Sequence, residues 1–232
     1  MQRSGTAINS TYRTQRAEQI LIGCRAILRG GYFVYVTGQH GDGWVDKDSI
    51  FPNTDHTSEL CGMLAETCSN LGAEIICGPA TGGLIVSQWT AHYMGLPSVF
   101  ADHAKEQGYH PAAVVSGPLR PPFILKRHYD RAVSGKRVLV VDDVINTGLS
   151  LRETADAVRG AGGKVIATAA LCTRGNAKPE DCGAERMVAL CEVIVPTWPA
   201  EECELCKRGI PVNTEFAHGA DFLAQQSALA CV

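Results

Sequence analysis

No apolar run in this 232-residue chain is long enough to span a bilayer, and its opening stretch, MQRSGTAINSTYRTQRAEQ, lacks the apolar core of a signal peptide. Membrane insertion and secretion are both disfavoured, and a cytoplasmic protein is the expectation. Charge of one sign is also missing: 21 basic residues face 24 acidic ones, a formal net charge of −3. That balance excludes a general attraction to nucleic acid or to an anionic membrane, so any anion must be held by a local site. A disulfide framework is missing too. The ten cysteines are scattered through apolar runs such as AEIICG and VALCEVIV, which suits reduced, buried small hydrophobes better than cross-links.

What is present suits one main domain, because 45% hydrophobic residues over this length can build one substantial core with embellishments. Ala17, Ile20, Leu21, Cys24, Ile27 and Leu28 recur at helical spacing, predicting a helix over 13–29 that Gly30-Gly31 ends. GYFVYVTGQHGDGWVDKDSI reads as two short strands around a Gly-rich turn, and TSELCGMLAETCSNLG as a helix closing at Gly72. Then AEIICG, PSVFA, RVLVVD, KVIATAA and MVALCEVIV read as strands, with GGLIVSQWTAHYMG and SLRETADAVRGAGG as helices between them. Apolar strands alternating with helices predict an α/β class with a parallel sheet covered on both faces. Residues 102–122, DHAKEQGYHPAAVVSGPLRPP, are polar and poorly periodic, which fits a functional flap or a disordered insertion.

The chemistry concentrates in KRVLVVDDVINTGLS, residues 136–150. An apolar strand ends in Asp142 and Asp143, and a short loop with Thr147, Gly148 and Ser150 enters a helix. Unpaired N–H groups and the positive end of the helix dipole attract a phosphate there, Gly148 allows close approach, and the two hydroxyls add donors. Two carboxylates would repel a bare phosphate, so they call for ribose hydroxyls or a divalent cation. A sugar phosphate satisfies both halves. The two acids, taken alone, also fit helix-capping or surface positions at a strand end.

The full string resembles the 5-phosphoribosyl-1-pyrophosphate (PRPP) motif of type I phosphoribosyltransferases. That family implies a parallel sheet flanked by helices, with a small hood and a flexible flap. On it the domains divide as 1–50 for the N-terminal helix and hood strands, 51–195 for the PRPP-binding core with its flap, and 196–232 for the C-terminal hood segment. The resemblance implies that Asp142 and Asp143 hold the ribose hydroxyls, and that Asn146, Thr147, Gly148, Leu149 and Ser150 hold the 5-phosphate. GPATGG resembles the pyrophosphate loop, with Ala80, Thr81 and Gly82 offering backbone N–H groups. Within the family the chain is most similar to the orotate phosphoribosyltransferases. Thr37-Gly38-Gln39-His40 matches their hood segment, with Trp44 near an aromatic position, LCTRG places Arg174 against the orotate carboxylate, and PTWPAEECELCKRGIPV looks like their tail. This implies a base site including Arg174, Asn146 and His40, Mg²⁺ arriving with PRPP rather than on dedicated protein ligands, and a homodimer.

Departures from that pattern bear on the substrate. FADHAKEQG has His103 near the flap's usual start and Lys105 two residues on, so these two are the candidates for meeting pyrophosphate; Lys126 and Arg127 are the reserve. Asn146 stands where threonine is frequent. The alternatives are a purine or another pyrimidine as the base, and a PRPP-sensing regulator without catalysis, which the acidic balance and short N-terminal region disfavour. His40 is read as a hood residue ahead of a metal ligand, and Trp44 as packing ahead of base stacking. Cys203 and Cys206 form one CxxC, half a zinc site; Cys182, Cys191 and His218 lack zinc-ribbon spacing, so the pair is read as reduced and structural, ahead of metal or disulfide.

Overall fold

The computed structural model describes residues 10–35, 37–104, 121–175 and 177–230. Lys105, and with it the flap over 105–120, lies outside them. The chain runs α1 (Ser10–Gly23), β1 (Ile27–Val34), β2 (His40–Val45), α2 (Thr54–Cys68), β3 (Ile75–Pro79), α3 (Gly82–Met94), β4 (Ser98–His103), β5 (Phe123–Ile124), α4 (Tyr129–Val133) and β6 (Arg137–Ile145). It continues through α5 (Leu149–Gly160), β7 (Lys164–Thr173), β8 (Met187–Glu192), β9 (Thr197–Trp198), α6 (Glu204–Lys207) and α7 (Gly219–Ala230).

Six strands form the main sheet in the order β5-β4-β3-β6-β7-β8. All neighbours are parallel except β5, a short antiparallel edge on β4. The expected parallel sheet therefore carries one reversed strand. Burial on both faces explains the nearly unbroken apolar runs of its central strands. One face packs α1 and α2 through Leu21, Leu60 and Leu64; the other packs α5 through Leu151, Ala155 and Val158. No described helix is long and apolar enough to cross a membrane.

The expected helix over 13–29 needs correction. It ends at Gly23, Arg25 turns left-handed at φ 58°, and the Ala26 N–H closes back on the Leu21 carbonyl. Ile27 and Leu28 belong to β1, opposite Val45 and Trp44 of β2. A second sheet, β1-β2-β9, draws its last strand from the C-terminal segment through His40↔Trp198 pairing. Beneath it Tyr32, Val34 and Cys203 form a small core with Leu205, Val212 and Phe222.

The topology predicts where a ligand binds. From β3 the chain winds outward to β4, and from β6 it winds the other way to β7 and β8, so the winding direction reverses between β3 and β6. In open parallel sheets the crevice outside the carboxyl ends at such a reversal takes the ligand.

Candidate active site

At that reversal lies a cleft of about 350 Å³ lined by the 79–82 turn after β3, by Asp142, Asp143, Asn146 and Ser150, and by Trp44, Lys47 and Arg174. A second hollow of about 420 Å³ continues it under the small sheet, sharing Trp44, Asn146 and Arg174 and adding Tyr35, Thr37 and Gln39. A pocket of about 70 Å³ occupies the entrance to α5, residues 144–151 with Asp142. The structure thus brings Ala80, Thr81, Gly82, Asp142, Asp143, Asn146, Thr147, Gly148, Leu149, Ser150 and Arg174 to one connected site.

Two helices aim their N-termini here. α3 begins at Gly82 directly after the turn, and the Ala80–Thr81 peptide is cis. α5 begins at Leu149 behind Gly148, which is left-handed at φ 80°. Free N–H groups and the dipole make both starts anion-binding. Glycine is required by contact as well as by φ. A Cβ on Gly82 would sit 1.7 Å from Asp143 Oδ2, and one on Gly148 would sit 2.8 Å from the Asp181 backbone. Alanine at 148 should therefore cost about 1–3 kcal/mol for its backbone conformation alone, plus the clash. Urea denaturation should show the lower midpoint, and an unchanged midpoint would mean the loop relaxes freely.

The acid pair differs from the sequence expectation. Strand β6 does not end at the carboxylates but runs on through them to Ile145, with Asp142 paired opposite Ala170. Asp142 is only 8% exposed and Asp143 4%, so these are not solvated loop acids. Asp142 Oδ1 accepts the Asp143 N–H at 2.8 Å, and Asp143 Oδ1 accepts the Val144 N–H at 2.6 Å. Burial, and then the charge of Asp143, push the Asp142 carboxyl well above its ordinary range. Burial raises Asp143 too, with Lys47 opposing. Lys47 Nζ stands 3.2 Å from Asp143 Oδ2, yet that oxygen accepts no hydrogen bond among the described residues. Burial pulls the Lys47 ammonium down while Asp143 and Asp48 lift it, and the lift prevails.

Lys47 is the site residue that sequence reasoning missed. The available signal was a lysine between Asp46 and Asp48 immediately beyond a strand, inside a segment read only for its hood motif. Trp44 was read as packing, but it lines both hollows. It stacks on Tyr35 at 5.9 Å between centroids, and the Arg174 guanidinium lies 5.3 Å from the Trp44 ring and 5.6 Å from the Tyr35 ring. Arg174 is anchored by its N–H on the Ile145 carbonyl at 2.7 Å, and its Nε is buried without a partner among the described residues.

Two other expectations change. His40 does not line the site: it is 1% exposed, bonded through Nδ1 to Tyr32 Oη at 2.9 Å and set edge-on to Phe222. Its ring instead meets Tyr32 of β1 and Phe222 of α7, on the side of the small core under the C-terminal segment. His103 does not line it either; its ring stacks on Phe123 and Nδ1 bonds the Pro121 carbonyl. The reserve cations are also engaged, Lys126 with Asp102 at 2.9 Å and the His103 carbonyl, Arg127 over the Phe100 ring.

Comparison with known proteins agrees with this geometry. A family model described as a phosphoribosyl transferase domain matches residues 57–204. The orotate phosphoribosyltransferase of Desulforamulus reducens is 33% identical over 184 residues, 79% of this chain and 87% of that protein. That of Brucella ovis is 36% identical over 180 residues, 76% and 83% of the two chains. The fold is shared with the orotate phosphoribosyltransferase of Aeropyrum pernix, with TM-score 0.56 and 24% identity over 75% of this chain and 92% of that one. It is shared equally with an adenine phosphoribosyltransferase from Thermoanaerobacter pseudethanolicus, with TM-score 0.53 and 20% identity over 66% and 89%. Backbone likeness alone therefore does not choose the base.

Proposed function

The chain belongs to the phosphoribosyl transferase family, and from that premise we propose that its cleft transfers the 5-phosphoribosyl group of PRPP to orotate, giving orotidine 5′-monophosphate and pyrophosphate. One observation carries the assignment: a buried acid pair stands between two helix N-termini at the sheet's reversal point, beside an arginine with a buried nitrogen that has no partner among the described residues. Each half of that arrangement matches one part of PRPP.

The start of α5, residues 146–150, takes the 5-phosphate on its N–H groups and the Thr147 and Ser150 hydroxyls. The Ala80–Gly82 turn and the start of α3 take the pyrophosphate. Asp142 and Asp143 accept the ribose hydroxyls. The base lies under the small sheet, where Tyr35 and Trp44 offer apolar faces and Arg174 offers two parallel N–H donors to the carboxylate that distinguishes orotate from uracil. The orotate nitrogen, giving up its proton to solvent, then bonds to ribose C1 as the bond from C1 to the pyrophosphate oxygen breaks. Positive charge that develops at the sugar lies against the acid pair, and Lys47 faces the side from which pyrophosphate leaves. Positioning and fixed charge supply the acceleration.

Mg²⁺ belongs to the proposal. Asp46, Asp48, Asp142 and Asp143 line the same cleft as only two described cations, Lys47 and Arg174, so a pyrophosphate entering it needs more positive charge than the described residues provide. Among the described residues no three carboxylates converge closely enough to form a cage, which suits an ion held mainly by substrate phosphates. When bound, the ion neutralises the leaving group. A homodimer, implied by the family resemblance, is also proposed; light scattering at the mass of one chain would remove it.

Pyrophosphate release from PRPP tests the reading. It should require orotate and Mg²⁺ together and fall to background when either is omitted; release without a base would mean hydrolysis rather than transfer.

A further inference from the structure

Between the small sheet and the C-terminal segment, outside the lining of the cleft, the fold gathers Lewis-basic atoms that the transfer reaction does not use. His40 Nδ1 of β2 lies 3.4 Å from Cys206 Sγ, across 166 residues of sequence. Ligand atoms of His40, Cys203 and Cys206 all lie within 4.8 Å of one another. Tyr32 Oη of β1 stands 2.7 Å from Cys206 Sγ. His40 and Cys203 are buried, and His40 Nε2 has no partner among the described residues. One nitrogen of this buried imidazole is unpartnered among the described residues, and the other, besides its bond to the Tyr32 phenol, is turned to the Cys206 thiol, a weak hydrogen-bond partner but a good metal ligand.

We propose that His40, Cys203 and Cys206 bind a zinc-class divalent cation that ties the C-terminal segment to the small sheet. The donors are the soft set such ions prefer, two sulfurs and an imidazole, and the pair separated by two residues is the usual half of a structural zinc site. Zn–S and Zn–N bonds of about 2.3 and 2.0–2.1 Å at a tetrahedral angle place sulfur and nitrogen about 3.5 Å apart, close to the 3.4 Å between Cys206 and His40. Binding displaces the two thiol protons to solvent and leaves both sulfurs as thiolates. Tyr32 donates its O–H to the Cys206 sulfur and acts as a positioning residue. Cys206 is exposed, so water completes the fourth corner. Cys182, Cys191 and His218, the partners weighed from sequence, are elsewhere: Cys182 in the core beside α5, Cys191 in β8, and His218 paired with Asp221.

The test uses the full chain, stripped with chelator and reductant and then titrated with Co²⁺ and Zn²⁺. Co²⁺ should give a thiolate charge-transfer band that saturates stoichiometrically, and Zn²⁺ should displace it. Cys206→Ser, at an exposed position where circular dichroism checks the fold, should abolish the band. Tyr32→Phe should retain it with affinity lowered about 10- to 100-fold. Reduced protein that takes up no metal overturns the proposal, as does uptake that Cys206→Ser leaves unchanged. A Cys203–Cys206 disulfide that persists in protein purified anaerobically, found by non-reducing peptide mapping, overturns it equally.

Discussion

Replacing Asp142 by Asn should give a protein that melts at a higher temperature and turns over on the order of a hundredfold more slowly, the scale on which a single preorganised transition-state contact is worth. The two effects share one cause. Asp142 is buried beside a second carboxylate, and both influences raise its pKa above the unfolded value of 3.8. Between those two values the folded state binds more protons than the unfolded state, so stability falls as pH rises through the window, and the full penalty is present above the folded pKa. Asn removes the charge and keeps the oxygen that accepts the Asp143 N–H. The melting-temperature gain should therefore be largest at neutral pH and should vanish below about pH 4, near the unfolded carboxylate pKa. Thermal scans across pH check this directly. A variant that melts lower at neutral pH would mean Asp142 is held by contacts the structure does not contain. Asp143→Asn should lose turnover similarly, but with a smaller stability gain, because Lys47 loses its partner.

Arg174→Ala should lower kcat/KM for orotate by about a hundredfold, corresponding to the loss of a charge-assisted hydrogen bond worth on the order of 2–3 kcal/mol. Arg174 sits on the rings of Tyr35 and Trp44 and is tied by its backbone to the end of β6, so its guanidinium is oriented before a ligand arrives. Its main job in this account is the base, not the phosphates. Calorimetry should accordingly find PRPP binding nearly intact in the variant. Equal losses for PRPP and orotate would move Arg174 to the pyrophosphate side of the cleft.

Local signals carried much of the fold and the phosphate half of the site. The strands of the main sheet are apolar runs bounded by glycines, and the 146–150 loop is a contiguous string whose chemistry is readable without coordinates. Four things were not legible, the first through a local stop that was overlooked and the others because they depend on distant residues. Ile27 and Leu28 continued the helical spacing of α1 by coincidence, and Gly23 was the overlooked stop before the left-handed Arg25. Asp142 and Asp143 looked like a polar strand end, and only the pairing of β6 with β7 shows that the ladder passes through them into the core. His40 sat inside a hood motif, yet which face of β2 it occupies depends on strand register with β1 and β9. Lys47 was hidden because it lies in the turn after β2 while its partner Asp143 sits in β6 of the main sheet, nearly a hundred residues on.

Competition between bases decides whether this cleft joins PRPP to orotate. Wild-type protein is given PRPP, Mg²⁺ and an equimolar mixture of orotate, uracil, adenine and hypoxanthine, and the nucleotides formed are identified by mass. The account predicts orotidine 5′-monophosphate as the dominant product, formed in step with pyrophosphate. A purine nucleotide as the main product, or PRPP bound without turnover of any base, would contradict it.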